Sequence, residues 1–143
     1  MRPVAFDVPV EVAFDYLVEP RNRPQWQSSL RRVEVDAQVE PVVGARWIDV
    51  TRVGVRAHMQ LVEANRPELW SEWGEWRDRV RARLTLAFVP TAGGCAVVPD
   101  LVLGVDGPLG CLFTAVLLRI AGPAIRSDLR RASRLLSARA AGH

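Results

Sequence analysis

Two aspartates are the residues of this chain best placed to move a proton in an apolar setting. Asp49 alternates with Trp47 and Thr51 in a strand-like run, so the three share a face. If Trp47 points inward, Asp49 does too. A carboxylate enclosed by apolar groups holds its proton more tightly and can serve as general acid or base. The opposite facing puts Ile48 and Val50 inside and Asp49 on the surface. Asp100 follows Pro99 in a strongly apolar run. Proline within a strand marks an edge or a bulge, and a bulge leaves either Asp100 or Leu101 facing inward. These two are the candidate catalytic residues, and the sequence offers neither a partner.

Other chemistries lack their residues. All 19 basic side chains are arginine, so no lysine can form a Schiff base. None of the serines stands in a nucleophile elbow, and there is no phosphate loop or dinucleotide fingerprint. Two histidines (His58 and His143) and two cysteines (Cys95 and Cys111) are too few and too scattered for a zinc site. No metal and no cofactor is expected. His58 alternates against Met59 and Leu61 and is expected on the surface.

The chain has 143 residues, 49% hydrophobic and 24% charged, which suits one folded domain over 1–143. Net charge is only +3. Arg77, Arg79, Arg81 and Arg83 are spaced by two and fall on one strand face, expected to be a solvated outer face. Without a basic recognition helix or interleaved exposed aromatics, nucleic acid is not an expected partner. The two cysteines form no disulfide framework, and the first residues, MRPVAFDV, read as a strand with no apolar leader segment. A reducing, cytoplasmic setting is the expectation.

The elements that must position these residues follow from periodicity and punctuation. Val4, Phe6 and Val8 alternate as a first strand. Pro9 suits the first turn of a helix, Val12, Phe14, Tyr16 and Leu17 give it an apolar side, and Glu19-Pro20 ends it. Pro20 and Pro24 frame a turn into a second short helix finishing at Trp26. Strands are then expected at 33–39, 46–53, 55–64, 69–76, 80–89 and 95–105. A long helix is expected from Pro108 to about Ala140. Its segment 108–125 is apolar and near the lower length for a membrane span. Arg119 interrupts it, and the polar turns that follow favour a core helix gripped by the sheet, not a span.

Pro9, Val12, Phe14, Leu17, Pro20, Asn22, Pro24 and Trp26 together resemble the opening motif of the START-like helix-grip superfamily (SRPBCC, polyketide cyclase/dehydrase-like). Glu19 stands where that family usually has Asp, and Phe14 where it often has Trp. Later landmarks agree: Gly44 before an aromatic strand, Met59 and Leu61 leading to Glu63 and Pro67, then Phe88, Pro90, Gly94 and Val97. Arg66 and Cys95 depart from the pattern. The resemblance covers nearly the whole chain. It implies an α+β helix-grip fold: a curved seven-stranded antiparallel sheet around a long C-terminal helix, with two short helices after the first strand.

The resemblance also implies a cavity for a small hydrophobic molecule of polyketide, isoprenoid, quinone or lipid type. Expected lining residues are Trp26, Trp47, Met59, Leu61, Trp73, Leu84, Leu86, Leu101, Leu103, Phe113 and Leu117, with Phe88 beside them. Trp70, Trp73 and Trp76 cannot all line one face, and Trp73 with Leu69 and Ser71 is placed inside. Lacking an inward histidine, a lysine or a legible acid–base pair, the residues favour a carrier or binding module. The alternative is a cyclase, aromatase or dehydratase using Asp49 or Asp100. Surplus tryptophan and the arginine strip allow a homodimer.

Overall fold

The computed structural model describes residues 1–142; His143 lies outside them. The chain runs β1 (Val4–Phe6), α1 (Val10–Val18), a 3-10 turn (Pro20–Asn22), α2 (Arg23–Trp26), β2 (Leu30–Glu34), β3 (Arg46–Thr51), β4 (Arg56–Asn65), β5 (Leu69–Trp76), β6 (Val80–Thr91), β7 (Gly94–Val105) and α3 (Gly110–Ala141). The strands form one antiparallel sheet in the order β1-β7-β6-β5-β4-β3-β2. Hairpins join β3 through β7 in turn, and only β1, across the edge of β7, comes from far away in sequence. This is the helix-grip architecture, with α3 as its core helix.

The first corner is built by proline. The Pro9 carbonyl accepts the amides of Val12 and Ala13 and starts α1. Val10, Ala13, Phe14, Leu17 and Val18 are buried at helical spacing. Phe14 packs edge-on against Trp70 and Phe88, with ring centroids 6.5 and 5.0 Å away. Pro20 forces Glu19 out of the helix, where its carboxylate accepts the Arg21 amide. The corner turns Arg23, on the first residue of α2, into the core.

Three expectations give way to the structure. The second strand is Leu30–Glu34 and not 33–39, because the Arg21 guanidinium draws the carbonyls of Asp36, Ala37 and Val39 around itself and curls that segment off the sheet. Trp73 lies on the outer face of β5, beside Gln60 and Arg83, and its inner positions belong to Trp70, Glu72, Gly74 and Trp76. Ser71 is buried but on the outer side, under Arg83.

The third concerns α3. Its second half is core: Leu129, Ala132 and Leu136 are buried, and Ser133 Oγ donates to the Ala5 carbonyl of β1. Its first half is not enclosed. Leu112, Phe113, Val116, Leu118 and Ile120 are exposed, because α3 runs for 32 residues and only its later turns meet β1, α1 and α2. By length and composition α3 could cross a membrane, but its second half is committed to the core and it is not a span.

Candidate functional site

The inner face of the sheet carries a charged cluster where an apolar core would be simplest. Arg23, Asp49 and Glu72 are each 5% exposed or less. Arg23 donates from Nε and Nη2 to the two Asp49 carboxylate oxygens at 3.2 and 2.7 Å, and from Nη1 to Glu72 Oε2 at 2.7 Å. Two indoles complete the shell. Trp47 Nε1 donates to Asp49 Oδ1 at 3.1 Å, and Trp70 Nε1 donates to Glu72 Oε2 at 3.0 Å. The guanidinium also lies 5.4 Å from the Trp47 ring centroid. Burial alone would lower the Arg23 pKa, but the charges and hydrogen bonds of Asp49 and Glu72 outweigh it and hold the pKa raised.

This geometry decides what each carboxylate can do. Both Asp49 oxygens are engaged by Arg23, and Oδ1 also accepts from Trp47. Glu72 spends only Oε2; its Oε1 makes no hydrogen bond and is not among the sealed, partnerless atoms. It is thus the unspent oxygen of a residue that borders an internal space.

That space lies between the sheet and α3. One lobe, of about 270 Å³, is lined by Asp49, Met59, Glu72, Gly74, Trp76, Ala82, Leu84, Leu101 and Leu103 from the sheet, with Ala121 and Ile125 from α3. A second, of about 220 Å³, adds Arg23, Trp26, Leu86, Asp128 and Leu129. Gln27, Ser29, Glu72, Leu84, Ala121 and Ile125 border both. Gly74 makes room on the floor, since a Cβ there would sit 2.8 Å from the Met59 sulfur. The hollow continues to the hairpin end through Ser29, Thr51, Ala57 and Trp76, which also border a recess of about 320 Å³ with Arg52, Val53 and Val55. Each lobe alone is below the ~300–1,000 Å³ of a typical small-molecule site, and only the joined hollow reaches it.

A third carboxyl sits at the α3 side. Burial pushes the Asp128 pKa up, while the Ser28 backbone N–H and hydroxyl, donating at 3.2 and 2.9 Å, pull it back only in part. Among the described residues Trp26 Nε1 is the one sealed side-chain polar atom without a hydrogen-bond partner.

The structure brings Trp26, Met59, Leu84, Leu86, Leu101, Leu103 and Asp49 to this hollow. Trp47 supports it from behind through Asp49, packed against Trp70 at 6.4 Å between ring centroids. Leu61 and Phe88 are wholly core. Trp73 is on the opposite face, Phe113 is exposed, and Leu117 does not border the hollow. Asp100 is on the outer surface and has no access to it. Sequence reasoning missed Arg23, Glu72 and Asp128. Glu72 was detectable in LWSEWGEW: if Trp70 and Trp76 face inward, Glu72 must join them, and an acid that stays charged when buried needs a partner such as a cation.

The family described as polyketide cyclase / dehydrase and lipid transport matches residues 2–140. The chain belongs to this family. Among solved structures, a START superfamily protein from Mycobacterium smegmatis superposes with a TM-score of 0.76 at 11% identity, over 94% of this chain and 96% of that one. A protein from Thermus thermophilus gives 0.72 at 19% identity, over 96% of each chain. The di-domain ARO/CYC StfQ from the steffimycin biosynthetic pathway gives 0.73 at 17% identity, over 98% of this chain and 50% of that one. At these identities the likeness is one of fold. No curated protein matches the chain. The hollow beneath α3, with the Arg23, Asp49 and Glu72 cluster at its polar end, is the candidate site of this chain.

Proposed function

We propose that this protein binds a small, largely apolar organic molecule between the sheet and α3, acting as a carrier or binding module. The reading rests on one observation above all. An apolar hollow ends on a buried ionic cluster that leaves a single carboxylate oxygen, Glu72 Oε1, unspent. The leucines supply area and Glu72 supplies orientation, so the ligand has an apolar body and one hydrogen-bond donor such as a hydroxyl. The family description, which covers both cyclisation and lipid transport, is compatible with this class.

The test is native mass spectrometry of the protein purified from its own host, repeated with Ala121→Phe, which fills the hollow from α3. The wild type is expected to carry a small-molecule adduct that the folded variant lacks. Bare protein in both cases, with no uptake of a naphthol added afterwards, would overturn the reading.

A proton-transferring enzyme of cyclase or dehydratase type is the second reading, and Asp128 favours it. Its carboxyl borders the hollow with its pKa raised by burial, which suits a general acid better than the locked Asp49 or the remote Asp100. Under this reading Asp128→Asn abolishes turnover of the captured ligand and leaves its affinity within a few-fold. Unchanged recovery of one ligand species from wild type and variant leaves the carrier reading standing alone.

A further inference from the structure

The first half of α3 turns an apolar strip outward. Leu109, Leu112, Phe113, Val116 and Ile120 follow one another at helical spacing, with Phe113 51% and Ile120 63% exposed. The outer side of a surface helix is ordinarily polar, and here, Arg119 apart, that holds only from Arg126 onward. Leu109 is also held at φ +65° while 68% exposed. A bulky side chain is strained in that region, where glycine or asparagine would fit freely. Folding therefore does not account for the leucine.

The strip belongs to one end of the molecule. β3, β5 and β7 run in the same direction, so the connections 52–55, 77–79 and 106–109 all emerge there. That end presents Val53, 87% exposed, and the arginines Arg52, Arg77 and Arg79. With Arg119 of α3, these four make no ion pair among the described residues. The two acids nearby are Asp78 and Asp106, and Asp106 is already paired with Arg81 at 3.1 Å. The hollow's recess beside Arg52 and Val53 reaches the same end.

We propose that this end docks on an anionic lipid bilayer, with the first half of α3 lying in the boundary between headgroups and acyl chains. An apolar strip flanked by unpaired arginines is the arrangement of an interfacial helix: the strip enters the boundary and the guanidiniums meet phosphates. A second copy of this chain fits less well. It would bring the same four arginines of each copy face to face, with Asp78 the one unpaired acid nearby to answer them. The proposal goes beyond ligand binding and stands without it, because docking needs no occupant in the hollow.

The test is co-sedimentation with vesicles of phosphatidylcholine alone and of phosphatidylcholine mixed with phosphatidylglycerol. An environment-sensitive fluorophore on Cys111 reports insertion; this thiol is exposed on α3, and Cys95 is buried. The protein is expected to bind the mixed vesicles, with a blue-shifted, brighter signal, and to leave them at high salt. Phe113→Asp with Ile120→Asp, both at exposed sites, removes binding without lowering the melting temperature. Arg77→Gln with Arg79→Gln weakens binding about tenfold or more. Val43→Asp, at the opposite end, changes nothing. Absence of binding, equal binding to both vesicle types, or binding that survives the Phe113 and Ile120 changes would overturn the proposal. So would a fluorophore already buried in a dimer without lipid, which assigns the strip to a second copy.

Discussion

Replacing Arg23 by methionine tests the buried cluster most directly. Methionine keeps much of the apolar stem and removes the charge, so packing changes little and electrostatics change fully. At 2.7 Å and an effective dielectric constant of ~20, each of the two ion pairs of Arg23 is worth about 6 kcal/mol of Coulomb attraction. Desolvating three ions offsets most of this, so the intact cluster contributes little net stability. Breaking it is different, because Asp49 and Glu72 then stay buried with only the two indole N–H groups to answer them. The expected loss is about 3–5 kcal/mol, a large share of the ~5–15 kcal/mol typical of a domain. Urea unfolding at neutral pH, followed by tryptophan fluorescence, measures it as a lower midpoint at unchanged slope. The triple variant Arg23→Met, Asp49→Asn, Glu72→Gln separates charge from shape. Its amide oxygens still accept from Trp47 and Trp70, but no charge remains buried, so about 2 kcal/mol or more should return. An Arg23→Met loss below about 1 kcal/mol, or a triple variant no better than the single one, would refute the reasoning.

Trp70→Phe and Trp26→Phe remove the same atoms from two buried rings, but only Trp70 donates to a charged acceptor; Trp70→Phe should cost at least ~1 kcal/mol more in urea unfolding. Leu109→Gly relieves a left-handed leucine and should stabilise the protein by up to about 1 kcal/mol, read from the urea midpoint, while weakening vesicle binding. The Glu34 carboxyl, drawn down to about 2 by hydrogen bonds from Arg56 and then Arg32, contributes stability above its unfolded pKa that is lost as pH falls through 2. Carbon-detected NMR should show its titration moving up in Arg56→Gln. For ligand choice, a naphthol should bind about tenfold or more tighter than naphthalene, because the hydrocarbon covers Glu72 Oε1 without a donor. Fluorescence displacement in wild type and Glu72→Gln measures the preference, which should shrink in the variant.

Most of the fold was legible because its signals are local. Prolines at 9, 20 and 24 punctuate the first corner, and strict alternation marks β4 through β7, so their bounds differ from expectation by only a residue or two. What escaped depends on distant partners. The end of β2 is set by Arg21, whose guanidinium holds carbonyls 15 to 18 residues further along. The facing of β5 was misjudged because alternation fixes which residues share a face and not which face is buried. A pair of tryptophans flanking a glutamate looks outward by hydrophobicity counting, until an arginine 49 residues earlier supplies the counter-charge. The apolar first half of α3 shows the opposite failure. Burial was inferred from composition, but composition does not say how far a helix extends past the sheet that covers it.

The polar cluster was the least legible part of the site, and it also holds the site together. Arg23 ties α2 to β3 through Asp49 and to β5 through Glu72. The same corner is tied to α3, where Asp128 accepts from Ser28 and Arg131 Nε donates to the Gln25 carbonyl at 3.0 Å. This short corner of chain thus ties the sheet to α3, the two walls of the hollow, beside direct bonds such as that from Ser133 to Ala5 of β1. Removing Arg23 releases that corner as well as a charge, so weaker binding in Arg23→Met confounds contact with shape. Glu72→Gln keeps the side chain's volume and an oxygen to accept from Arg23 and Trp70, and alters chiefly what an occupant meets. If the cluster serves only to brace the walls, affinity should track stability across both variants. If Glu72 also orients a ligand, Glu72→Gln departs from that line by losing hydroxyl preference at nearly full stability. The unspent Oε1 favours the second outcome, because a purely structural cluster would have no use for a free carboxylate oxygen on a residue that borders an apolar hollow.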